Sequence, residues 1–169
     1  MDIQVAALCD AATDYKGKLN MLGTFNSVYT TELPANYPQC SIALRIVFKR
    51  IEEREHKLRI NFVDEDGKFV MPSIELPFEV KVPNNDSYLY RNFILNIQRL
   101  KFENFGQHAI DIAIDGRQEA SIPLEVKRLP EQKKETGKEE KDKIHKYKQE
   151  ALRTLKRIRH TRNIPHSHA

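Results

Sequence analysis

The sequence predicts an all-β protein: a two-sheet antiparallel sandwich, immunoglobulin-like or C2-like, followed by a C-terminal α-helical tail. Three observations carry this. Apolar residues in the first 130 positions recur at a period of two, Pro, Gly, Asn and Asp interrupt them at short intervals, and after Pro130 the composition changes abruptly to Glu, Lys and Gln. The expected organisation is a sandwich over 1–130, a charged linker over 131–138, an amphipathic basic helix over 139–163 and a terminus without structure over 164–169.

The strands follow in order. A first apolar run covers Ile3 to Leu8, and a second begins at Lys18 with Leu19, Met21 and Gly23 and continues through Phe25, Val28 and Tyr29. Pro34 and Pro38 mark a connection. Ile42, Leu44, Ile46 and Phe48 then alternate with Ala43, Arg45, Val47 and Lys49, the clearest strand in the chain. Leu58, Ile60 and Phe62 alternate into Asp64-Glu65-Asp66-Gly67, where Asp and Gly tolerate the positive φ of a tight turn, before Phe69 and Val70. Pro72 and Pro77 place Ile74 to Val80 at a sheet edge, because proline cannot donate to a neighbouring strand. Tyr88 to Ile97 forms a long strand that Leu100 and Phe102 follow. Ala109, Ile110, Ile112 and Ile114 meet Asp115-Gly116, and Ile122, Leu124 and Val126 return. Seven to nine strands without a helical window between them favour two packed sheets.

Charge is partitioned. Residues 1–130 carry 16 Lys+Arg against 18 Asp+Glu, a net of −2, whereas residues 131–169 carry 12 against 6, a net of +6. Thr136-Gly137-Lys138-Glu139 has the capping-box pattern, with acidic Glu139, Glu140 and Asp142 near the positive end of the expected helix dipole and Arg153, Lys156, Arg157 and Arg159 near its negative end. At about 100° per residue, Ile144, Tyr147, Ala151, Leu155 and Ile158 fall within an arc of about 80°, a narrow seam suited to a partner helix or a docking surface. The helix should stop near Asn163, ahead of Pro165.

The segments LCDAATDYKGKLNMLGTFNSVY, SIALRIVF and EREHKLRINFVDEDG resemble a family of small uncharacterised bacterial proteins that share a Leu-Cys-Asp opening, a Gly-Lys-Leu-Asn…Gly…Phe segment and a Leu-Arg strand with an Asp-x-Asp-Gly turn. The resemblance spans residues 3 to 130. It implies a sandwich of immunoglobulin-like or C2-like appearance, carries no activity and supplies no functional residues.

Motifs for chemistry are sparse. Cys9 beside Asp10 could suggest a nucleophile, but a neighbouring carboxylate raises a thiol pKa and no histidine is placed by sequence to act as its base. Buried, reduced structural thiols are the expectation for Cys9 and Cys40, although spacing alone leaves a disulfide between them open. Asp64, Asp66 and Asp86 could imitate the loop carboxylates of a calcium-binding sandwich, yet the same residues spell an ordinary turn. His56 and His108 sit at strand starts, His166 and His168 near the end of the chain, and Glu52-Glu53 reads as a solvated charged loop. Gly17, Gly23 and Gly106 form no phosphate-binding fingerprint.

The expectations are therefore no enzyme, no cofactor and no metal site. No basic, apolar leader opens the chain and no apolar run is long enough to span a membrane, which favours the cytoplasm. The leading reading is a protein-interaction module, with self-association or a protein partner engaged through the seam. The alternative is an accessory nucleic-acid binder with Arg153, Lys156, Arg157, Arg159 and Arg162 as candidate phosphate contacts. A ligand- or calcium-binding sandwich ranks third.

Overall fold

The computed structural model describes residues 1–130. The expected linker, helix and terminus over 131–169, with their seam and phosphate-contact residues, lie outside the described residues.

Nine strands form two sheets. β1 (Asp2–Tyr15), β2 (Lys18–Thr24), β4 (Ala35–Lys49) and β7 (Tyr88–Phe102) make a four-stranded sheet in the order β2-β1-β4-β7. β3 (Ser27–Thr30), β5 (Glu55–Asp64), β6 (Ile74–Glu79), β8 (Gly106–Ile114) and β9 (Arg117–Arg128) make a five-stranded sheet in the order β3-β9-β8-β5-β6. All pairs are antiparallel except β3 with β9, which run parallel from Ser27↔Glu125 to Thr30↔Arg128. With β1, β4 and β7 in the places of strands A, B and E, and β5, β6, β8 and β9 in those of C, C′, F and G, this is an immunoglobulin-type order.

The alternation visible in sequence is the core. Ile42, Leu44, Ile46 and Phe48 of β4 are fully buried, and they share one apolar cluster with Leu58, Ile60 and Phe62 of β5, Ile110, Ile112 and Ile114 of β8, and Leu124 and Val126 of β9. Each strand commits one face to the space between the sheets, as a period of two requires. Towards one end the core becomes aromatic: Phe78 lies 5.7 Å from Phe48, 5.5 Å from the His56 ring and 4.9 Å from Phe93, between ring centroids. The Arg91 guanidinium covers this group from outside, 5.5 Å from the Phe78 ring and 5.7 Å from that of Phe93.

Several features differ from the sequence expectation. β4 starts at Ala35 and takes in Pro38, which the sequence reading puts in a connection, because Ala35, Asn36, Tyr37 and Gln39 find partners in β7. The first strand runs on to Tyr15, because Ala11 to Tyr15 find a partner in β2 even though they lack an apolar alternation. The expected single strand from Lys18 to Tyr29 is two strands in different sheets, broken at Phe25 and Asn26, where the chain crosses between layers. Asp64 to Lys68 closes a turn, with the Gly67 amide donating to the Asp64 carbonyl at 2.9 Å, but only an isolated Val63↔Phe69 bridge follows and β6 starts later, at Ile74. Glu52 and Glu53 are not simply solvated: their carboxylates accept the Lys49 and Val82 amides, each at 2.8 Å. The edge position of β6 and the Asp115-Gly116 hairpin agree with the sequence reading.

Cys9 and Cys40 occupy neighbouring strands. Leu8 pairs with Ile42 on the core side, so Cys9, opposite Ser41, points away from the core, whereas Cys40, in step with Ile42, points into it. Opposite faces of one sheet exclude a disulfide between them without turning a strand over. Both thiols are free and buried.

Truncating a core position to alanine tests this layer directly. Ile46→Ala should cost about 2–5 kcal/mol in urea-induced unfolding, the range for a fully buried branched side chain. Leu22→Ala, at a 71% exposed position, should change stability by less than about 0.5 kcal/mol.

Candidate interaction surface

The outer faces of the two sheets differ in chemistry. On the five-stranded sheet the outward side chains pair into polar ladders: Arg59 donates to Glu75 at 2.8 Å while Lys57 also reaches Glu75, Ser73 bonds Asn61 at 2.7 Å, and Gln118 bonds Asp111 at 3.1 Å. Hydrogen bonds from Lys57 and Arg59 hold the Glu75 carboxyl below its ordinary pKa. Such a face is satisfied by itself and by water.

The four-stranded sheet is covered instead by a piece of its own chain. β1 pairs with β4 only as far as Cys9↔Ser41, and from Cys9 to Tyr15 it pairs with β2. A straight continuation would carry Gly17 about 26 Å past Cys9, at about 3.3 Å per residue. Arg45 lies the other way, beside Val5, yet its Nη1 donates to the Gly17 carbonyl at 2.9 Å. The β1–β2 hairpin therefore doubles back across the outer face. Ser41 and Ala43, on that face of β4, are fully buried, as residues under such a cover must be.

A polar latch fastens the hairpin tip. Asn92 of β7 donates through Nδ2 to Asp14 at 2.6 Å and to the Gly17 carbonyl at 3.2 Å, while its Oδ1 accepts from Arg45 at 2.9 Å. Asp14 closes the turn by accepting the Gly17 amide at 2.8 Å. Lys16 and Gly17 both have positive φ, 52° and 75°, the signature of a two-residue hairpin turn that needs glycine at one of its positions. The hydrogen bonds from Asn92 and the Gly17 amide hold the Asp14 carboxyl below its ordinary pKa.

At the hairpin base Gly23 has φ of 63°, and a Cβ there would stand 2.2 Å from Asp10 Oδ2. Asp10 in turn accepts from the Tyr37 hydroxyl at 3.3 Å, and the Phe25 amide bonds the Leu8 carbonyl at 3.0 Å. Both ends of the hairpin are thus fixed.

Asp14 and Leu19, directly paired, face the sheet, so Thr13, Tyr15, Lys18, Asn20 and Leu22 face away from it. Leu22 is 71% exposed and Tyr15 62%. Beside the tip, Tyr90 is half-exposed and stacks under the Arg45 guanidinium at 5.0 Å, and Tyr88 follows two residues away on the same face of β7. Tyrosine and arginine are the side chains in which the centres of protein-binding surfaces are enriched.

A second constellation resembles a catalytic dyad and is not built as one. His56, 4% exposed, meets Asp115 Oδ2 through Nδ1 at 2.8 Å and the Glu52 carbonyl through Nε2 at 2.8 Å. Both ring nitrogens sit against these partners and the ring is buried, so neither is open to a substrate. Asp115 also accepts the Lys57 amide at 2.9 Å and Arg54 Nη2 at 3.1 Å. Burial opposes its ionisation, but the Lys57 amide, His56 and Arg54 outweigh it and hold the carboxyl below its ordinary value. His56 and Asp115 help line a surface cleft of about 480 Å³, together with Glu55, Lys57, Pro77, Phe78 and Glu79.

The remaining sequence candidates fall apart in space or into local roles. Burial, reinforced by Asp10, raises the Cys9 thiol, and burial pushes the Cys40 thiol up to about 11, so both stay protonated near neutral pH. Asp64 Oδ1 accepts the Asp66 and Lys68 amides at 3.0 and 2.9 Å and is spent on its turn. Among the described residues no group of three or more His, Cys, Asp or Glu is disposed to hold a metal ion. No described helix is long and apolar enough to cross a membrane. The hairpin surface escaped the sequence reading; Asp14-x-x-Gly17 was its only local signal.

Two expectations follow. Asn92→Ala should release the hairpin, so that amides between Ala11 and Leu22 exchange with deuterium about tenfold faster or more, the scale of losing one or two hydrogen bonds, while core amides are unaffected. Asp14 and Asp115 have folded pKa values below their unfolded ones. Their stabilisation is complete above about pH 4 and is lost as the pH falls through the folded values, so Asp115→Asn should flatten the acid limb of a melting-temperature profile below about pH 4.

The chain is similar to an alkylpurine DNA glycosylase of Pseudomonas fluorescens, solved bound to DNA containing an abasic-site analogue, at 10% identity and a TM-score of 0.39 over 75% of this chain, and it spans 30% of that one. It is also similar to an immunoglobulin-like protein of Pseudomonas aeruginosa, at 11% identity and a TM-score of 0.33 over 75% of this chain and 95% of the other. No curated protein matches it significantly. A family model does match, over residues 4–127, and the chain belongs to that family, described as a family of unknown function, DUF6941.

Proposed function

We propose that the protein is a non-enzymatic protein-interaction module working in the cytoplasm, with the sandwich as a rigid scaffold, the folded-back hairpin as its recognition element and the segment after Pro130 as a second contact. The observation that carries this reading is the hairpin itself. It is fixed to the outer face by Asp14, Asn92 and Arg45, yet it turns Tyr15 and Leu22 to solvent beside Tyr90. A loop pinned in this way presents side chains with little ordering left to lose on binding, the condition under which modest contact areas give useful affinity. The cytoplasmic placement is supported by two buried thiols on opposite faces of one sheet.

The test compares cross-linking and mass-spectrometric identification of partners for the full chain, for Tyr15→Ser with Leu22→Ser, and for a chain ending at Pro130. Loss of the same partners from the hairpin variant, with its melting temperature unchanged, supports the reading. An unchanged partner set in both altered chains would sink it.

A second reading rests on charge partition. The net of +6 in residues 131–169, against −2 in the body, suits contact with nucleic-acid phosphates through Arg153, Lys156, Arg157, Arg159 and Arg162. Under that reading the logarithm of the affinity for duplex DNA falls with log salt, by about 0.9 per phosphate neutralised. Absence of a shift at low salt removes it.

A further inference from the structure

We infer that the free edge of β7 pairs with β7 of a second copy of the chain, joining the two four-stranded sheets across a two-fold axis. This surface is the rim of the sheet, separate from the outward side of the hairpin.

The inference begins with what flanks β7. In the immunoglobulin constant-type order a strand D lies beside E, whereas here β7, in the place of E, is the last strand of its sheet. The sheet has instead gained β2 on its far side. One side of β7 pairs with β4 along its length, from Tyr88↔Lys49 to Phe102↔Ala35. Its other side has no strand partner among the described residues, which leaves an open edge that is regular from Tyr88 to Gln98, up to the positive φ of 54° at Arg99.

Unpaired edges are normally blunted by proline, charge or brevity, since an open row of amides and carbonyls invites any other strand. The other three edges among the described residues are protected in those ways. β3 has four residues, β6 carries Pro77 between Glu75 and Glu79, and β2 has seven residues opening on Lys18, with Gly23 near its end. β7 is different. From Asn92 to Gln98 it reads Asn-Phe-Ile-Leu-Asn-Ile-Gln, without a charge, a proline or a glycine. It is also among the two longest strands in the molecule. A domain that guards three edges and leaves open a central uncharged stretch of a fourth, bounded by Arg91 and Arg99, offers room for a strand to be added there.

The self-complementarity of β7 selects the occupant. A two-fold axis perpendicular to the sheet keeps the core-facing residues of both copies on one side, so residues of like parity must oppose one another. Centred on Ile94, the pairing sets Asn92 against Asn96, Phe93 against Leu95 and Tyr90 against Gln98, with no like charges opposed. Moving the centre to Leu95 opposes Arg91 to Arg99, and moving it to Asn96 opposes Arg91 to Lys101, each of which is penalised in an antiparallel pair. A centre on Phe93 opposes no like charges but sets Asn92 against Ile94 and Arg91 against Leu95, losing the Asn92–Asn96 and Phe93–Leu95 matches, so the Ile94 centre is favoured. The two-fold axis itself closes a dimer rather than an open fibre. The thirteen residues that follow Pro130, 131–143, contain no apolar side chain to add to such an edge.

Ile94 sits on the axis, half-buried on the outer face and outside the core cluster, so a charge there meets its own copy without entering the core. Sedimentation equilibrium of the full chain at micromolar concentration should give a dimer. Ile94→Lys and Ile94→Glu should each give monomers, and an equimolar mixture of the two should restore dimers containing one of each, which also shows that both variants fold. Hydrogen exchange of the unaltered chain supplies a test without substitution: amides of Tyr88–Phe102 should exchange more slowly at micromolar than at nanomolar concentration, whereas those of β6 should not. A monomer at every concentration, a dimer unchanged in both single variants, or β7 exchange independent of concentration would overturn the inference. Tyr15→Ser with Leu22→Ser should leave the dimer intact, so failure of the hairpin reading and failure of this one are separately visible.

Discussion

β4 must be buried on both of its faces, and most of the structure answers to that constraint. On the core side it offers Ile42, Leu44, Ile46 and Phe48, all without solvent exposure; on the outer side it offers Ser41 and Ala43, equally buried though small. The large set fills the space between the sheets at the density protein interiors demand. The small set leaves room for a hairpin to lie flat on the sheet. Ser41 is also satisfied there, donating to Asn96 at 2.7 Å, so its hydroxyl carries no desolvation cost. Large-in and small-out along a single strand thus decides both where the core is and where the chain can fold over itself.

Much of the frame was legible because it depends on local periodicity. The alternation of β4, β5 and β8 and the Asp115-Gly116 turn are written within a few residues of one another, and strand geometry converts them directly into faces. The doubled-back hairpin was not legible. Its latch joins Asp14 to Asn92 and Arg45 to Gly17, pairs far apart in the chain, and nothing in the alternation of either strand announces the partner. The break at Phe25 and Asn26 was missed for a related reason. Both flanking segments look like strands, and only the tertiary choice of sheet separates them.

Histidine and carboxylate chemistry shows the same division. His56 and His108 could be placed at strand starts from sequence, and both turn inward, His108 with its Nδ1 3.2 Å from the Gly106 carbonyl and its ring against Phe102. What sequence could not supply was the partner set. Asp115 was legible as a turn former. In the fold it also gathers the Lys57 amide, His56 and Arg54, which ties the tip of one hairpin to the first residues of β5. A residue chosen for its tolerance of positive φ, 53° here, thereby becomes the principal polar tie at that end of the sandwich.

The hairpin is inserted at the point where, in an immunoglobulin-type frame, the first strand passes from one sheet to the other, and its hold on the frame is made of side-chain tips and one turn carbonyl. Force applied to Tyr15 is delivered first to Asn92 and Arg45, not to the rows of Ile and Phe beneath them. The frame can therefore keep its stability while the outward residues of the hairpin change identity, which separates the part of the molecule that must fold from the part that is free to acquire a new specificity.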